Sequence, residues 1–126
     1  MTGALLVFAG IMGAAGIVLA AASAHSAPGT GLDSAGYLLL IHAATVVGGV
    51  ALLHQTVLSR TAGLIALCGL VLGAVLFAGD VAARAYLGSR LFPMAAPTGG
   101  VILIGSWLVL ALAALLARQP SPGFGP

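Results

Sequence analysis

The chemistry available to this chain is concentrated in Asp80 and Arg84, an acid and a base one helical turn apart near the end of a long apolar run from Leu64 to Arg90. The acid comes first, the order that favours an i,i+4 ion pair on a helix. A charge within such a run costs about 2.5 to 3.5 kcal/mol on insertion scales, so the pair needs a partner, a cavity or a function. The remaining candidates are few. His42 and His54 stand twelve positions apart on one predicted helix, about 18 Å, too far to share a metal ion or a haem iron. His25 and His42 would differ in depth by roughly 10 Å on neighbouring helices. Cys68 is the only cysteine, which excludes a disulfide framework and a cysteine pair for zinc. There is no glycine-rich phosphate loop with lysine, no serine nucleophile motif and no carboxylate pair for hydrolysis, so neither an enzyme nor a cofactor or metal is expected.

The elements that position these residues follow from composition. Of 126 residues, 61% are hydrophobic and 5% charged, with a mean hydropathy of +1.23. Six charges cannot screen that much apolar surface in water, and the reading is an integral membrane protein. Four arginines, two aspartates and no lysine give a net charge of +2 without the basic stripe that nucleic acid requires. Each crossing of a hydrocarbon core about 30 Å thick takes about 20 residues. Four spans with short links fit: residues 3–24, 35–55, 62–87 and 97–117, making a single transmembrane domain over 1–118. The fold class expected is therefore an all-α, antiparallel four-transmembrane-helix bundle.

In the first span Gly10, Gly13 and Gly16 recur every three residues and leave a smooth face for close helix approach. Ala22-Ser23-Ala24 has the small-residue pattern of a signal cleavage site, but no basic residue precedes the run, which predicts a retained helix. The link from His25 to Ser34 contains the turn signal Pro28-Gly29, and Asp33 or Ser34 suits the N-cap of the second span. Gly48 in that span, with Gly69 and Gly73 spaced GxxxG in the third, completes the predicted packing set. Pro97 suits the first turn of the fourth span, where a missing N–H is harmless. Arg118 is expected to end that span at the interface, and the Pro- and Gly-rich tail over 119–126 to be flexible. Counting Arg60 and Arg118 against Arg84 and Arg90, the positive-inside rule favours both termini in the cytoplasm.

Four spans bring the first and third links to one end. From that end Asp80 lies about 10 Å deep and His42 about 12 Å, close enough to form a polar cluster with Arg84 and, nearer the rim, His25. Three readings of the cluster stay open. It is an internal clamp fixing helix rotation, a protonatable Asp80–His42 pair in a wet recess, or a lipid contact in which Arg84 and Arg90 meet phosphates.

A resemblance adds to this reading. The first helix ending in Ala24-His25, Tyr37 followed by Ile41-His42-Ala43, the run Leu76-Phe77-Ala78-Gly79-Asp80, and Ala96-Pro97-Thr98-Gly99-Gly100 with Gly105 and Trp107 together resemble the family catalogued as domain of unknown function 423, from about Gly3 to Ala117. The resemblance implies a four-span protein of the bacterial inner membrane with no established activity. The chain departs from the family's pattern at Ala22-Ser23-Ala24-His25, and at Asp80, where a serine is expected. The resemblance leaves function open; the function expected from the residues is a non-catalytic homo-oligomer, or an accessory subunit of a larger membrane complex, with membrane lipids as partners. The alternative is an oligomeric small transporter or proton-linked channel using Asp80 and His42.

Overall fold

Long apolar stretches with no proline beyond a first turn leave the helix as the structure that satisfies backbone N–H and C=O groups within its own segment. The computed structural model describes residues 1–117 and 125, and in it four helices carry the chain: α1 (Thr2–His25), α2 (Leu32–His54), α3 (Arg60–Leu87) and α4 (Ala95–Leu115). All four are long and apolar enough to cross a membrane. Arg118 and, apart from Gly125, the expected tail lie outside the described residues.

The helix starts differ instructively from expectation. α2 begins at Leu32, with Gly31 as N-cap at φ 78°, so neither Asp33 nor Ser34 caps it. Asp33 sits instead in the first turn, where its charge still meets the positive end of the helix dipole. α4 begins at Ala95 with Pro97 inside its first turn, where a missing N–H costs nothing. α3 ends at Gly88, whose φ of 69° is the left-handed stop that glycine adopts without strain.

Neighbouring helices run antiparallel and pack around buried Leu32, Val46, Leu67 and Leu70, and α1 also touches α3. Two crossings bring backbone onto backbone. A Cβ added to Gly16 would lie 2.7 Å from the Gly36 carbonyl oxygen, and one added to Gly36 would lie 2.6 Å from that of Gly16. The same arrangement joins α3 to α4, where a Cβ on Gly73 would lie 2.9 Å from the Gly99 oxygen and one on Gly99 2.8 Å from the Gly73 oxygen. Even the next neighbours correspond: Leu40 crowds Gly16 as Leu103 crowds Gly73, and Ala20 crowds Gly36 as Phe77 crowds Gly99. The fold is two like hairpins in tandem, α1–α2 and α3–α4. Between them α2 meets α3, with Leu67 filling the space beside Gly49 and Leu53 that beside Gly63.

The row does not close. The backbones of α1 and α4 do not approach each other. Accordingly only 22% of the apolar window is buried in each of these outer helices, against 44% in α2 and 39% in α3.

Candidate functional site

The polar residues fall into two clusters at different depths. The first lies near the end that holds the first and third links. Asp80 is 1% exposed, and its two carboxylate oxygens have separate partners. Oδ1 accepts the Leu91 backbone N–H at 3.0 Å, while Oδ2 lies 3.3 Å from Arg84 Nε. Leu91 folds back over α3 beside Gly79, where its Cδ1 would lie 3.4 Å from an added Cβ, an ordinary contact distance. The carboxylate thus ties the link after α3 down to the helix it has just left. Arg84 is 44% exposed, so the pair has one buried and one exposed member.

A cleft of about 340 Å³ opens beside this pair, lined by Phe77, Asp80, Arg84, Arg90, Pro97 and Gly100 among others. A second, of about 460 Å³, lies on the other flank of Arg84 and is lined by Thr30, Gly31, Ser34 and Val81.

The second cluster is deeper and joins α2 to α4. His42 Nδ1 lies 2.7 Å from the Leu38 carbonyl oxygen, which can only accept, so Nδ1 carries the hydrogen. Nε2 is then the acceptor and receives Trp107 Nε1–H at 3.2 Å. The rings meet edge to face, with centroids 6.0 Å apart at 65°. Both ring nitrogens are committed, and Trp107 reaches over α3 to a helix whose backbone its own does not approach.

The structure therefore does not bring Asp80 and His42 together, and the reason is the early start of α2. Asp80 is seven residues from Leu87, about 10 Å deep, while His42 is ten from Leu32, about 15 Å rather than 12. One helical turn separates them, and Leu91 takes the place expected for His42. His25, the last residue of α1, is exposed and joins neither cluster. Among the described residues no three His, Cys, Asp or Glu side chains gather closely enough to hold a metal ion.

The six glycines expected at helix contacts divide. Gly16 and Gly73 form the two backbone crossings, Gly69 accommodates Ser106, and Gly13 faces the Ala43 Cβ at ordinary contact distance. Gly10 and Gly48 face nothing within 4 Å among the described residues. Gly36 and Gly99, the partners in the crossings, were not in the expected set. The Trp107 contact had a signal, since an indole N–H at mid-span needs an acceptor and His42 offers one. The Leu91 amide had none, because a backbone donor carries no residue signature. Compared with family models, curated proteins and solved structures, the chain matches none.

Proposed function

We propose that this chain is a non-catalytic, multi-pass protein of a bacterial inner membrane that assembles laterally with copies of itself, consistent with its resemblance to the domain of unknown function 423 family. The observation that carries the reading is the open row of helices. In hydrocarbon an apolar face gains nothing from burial as such, and association follows packing shape and small residues. The two free faces have complementary shapes. On α1, Gly3, Val7, Gly10, Ala14 and Ile17 share one exposed stripe with holes at the glycines; on α4, Val101, Gly105, Leu108 and Leu112 share one with protruding leucines.

The tandem hairpins supply the geometry. The step that carries α1–α2 onto α3–α4 would, repeated, seat α1 of a second copy on α4. Leu112 then meets Gly10 of that copy, the reverse of the Leu67 and Gly49 contact between α2 and α3. Such a head-to-tail contact forms a ring where its rotation closes. Both termini are read as cytoplasmic. A proton-linked transporter gains no support from the geometry, because the two groups it would use belong to separate clusters.

The test is the native mass of protein extracted mildly from its own membrane. A discrete multiple of the chain mass is expected, reduced to the monomer by Gly10→Leu at unchanged melting temperature. A wild-type monomer would refute the assembly. A mass containing other subunits would make this an accessory bundle.

A further inference from the structure

The cleft between the end of α3 and the start of α4 has a charge balance and a shape that call for an anion. Two guanidinium groups line it and one carboxylate, Asp80. That carboxylate is already spent on the Leu91 N–H and on Arg84 Nε. Arg84 is therefore held by its inner edge, which leaves its outer N–H groups without a protein acceptor among the described residues. Arg90, exposed on the opposite lip, has no ion pair among them either. Asp33, the remaining acid, does not line the cleft.

We propose that this cleft seats the phosphate group of an anionic ligand, with Arg84 and Arg90 closing on it from two sides. A guanidinium fork matches two phosphate oxygens at once, which an ammonium cannot do. The floor of Phe77, Ala96, Pro97 and Gly100 is apolar and suits the uncharged part of a phosphodiester. Depth favours a headgroup as the source: Arg84 is three residues from Leu87, about 5 Å from the helix end. Tyr37 and Tyr86, both more than half exposed, stand at the same end, as interfacial aromatics do. Inorganic phosphate offers the same chemistry from water. The headgroup source rests on the membrane reading above.

The full chain is incubated with vesicles of equal parts phosphatidylglycerol and phosphatidylcholine, recovered by flotation, and its retained lipid counted by native mass spectrometry; inorganic phosphate is titrated separately onto the detergent-solubilised protein. Enrichment of phosphatidylglycerol is expected, falling roughly fivefold for Arg84→Gln or Arg90→Gln and about 25-fold for both, while Arg60→Gln at the opposite end changes nothing. Arginine-dependent binding of inorganic phosphate without lipid enrichment would support the seat and assign it a soluble ligand. Failure to float would refute the membrane reading and leave the phosphate arm to decide the cleft. Equal retention and equal phosphate binding by wild type and a double variant of unchanged melting temperature would overturn the proposal.

Discussion

The two hairpins share a backbone plan and differ in what hangs from it. Each is built on a glycine-to-glycine crossing, and each second helix starts from a residue in the left-handed region, Gly31 or Met94. Seven positions beyond the first crossing glycine stands Ser23, and at the same place in the second hairpin stands Asp80; four further on, Ala27 corresponds to Arg84. The first link is consequently held by its own atoms, with the Ala27 N–H on Ala22 and the Thr30 hydroxyl on Ala27. The third is held by a buried carboxylate. The crossing fixes where helices meet, and polar function is added afterwards at a position the crossing has already placed.

The strongest test of that equivalence is at the crossings. Gly36→Leu and Gly99→Leu each force a side chain against opposing backbone that has no room to yield, so each is expected to cost about 3 kcal/mol or more. Thermal unfolding in detergent reads both. Tolerance of one with loss of the other would mean that the hairpins only look alike.

The next test exchanges their polar residues. Ser23→Asp puts a buried carboxylate where Ala27 offers no cation, and is expected to destabilise by about 2 to 3 kcal/mol. Asp80→Ser removes the acceptor of the Leu91 N–H and the partner of Arg84, at about 2 kcal/mol. Hydrogen exchange should show the Leu91 amide exposed in that variant alone. An unchanged amide would mean that the link is held by the packing of Leu91 on Gly79, with the carboxylate a bystander.

A smaller effect is expected where the hairpins are tied together. The Trp107 to His42 bond is a single intramembrane contact, and such contacts average about 0.6 kcal/mol in double-mutant cycles. A cycle of Trp107→Phe and His42→Leu should return a coupling of that size. A coupling near zero would leave the contacts of α3 with α2 and α1 as the junction between hairpins.

Helix number, order and approximate limits were legible because hydropathy and length set them directly, and Asp80 with Arg84 stood out for the same reason. The error at His42 came from a boundary. Asp33 and Ser34 are good cap residues, so α2 was expected to start after them, yet Gly31 supplies the left-handed turn that the incoming link needs and the helix starts three residues sooner. A shift of that size moves a side chain by nearly a turn, enough to take His42 from Asp80 to Trp107. The tandem hairpins were hidden for a different reason: the likeness rests on Gly16 and Gly36 against Gly73 and Gly99, four residues among 19 glycines.

The least effect should come from the one place where the second hairpin keeps the conformation of the first without its residue. Met94 holds φ 67°, close to the 78° of Gly31, but carries a Cβ that crowds its own carbonyl there. Met94→Gly should therefore stabilise the protein by up to about 1 kcal/mol, and Gly31→Met should destabilise it by a similar amount. The two melting temperatures, measured side by side, separate backbone from side chain. Met94 is 59% exposed, so little intrachain packing is lost with it in detergent. Were Met94→Gly to destabilise the protein in vesicles but not in detergent, the side chain would be anchoring the link in lipid. The second hairpin would then differ from the first in its hold on the membrane surface as well as in its charges.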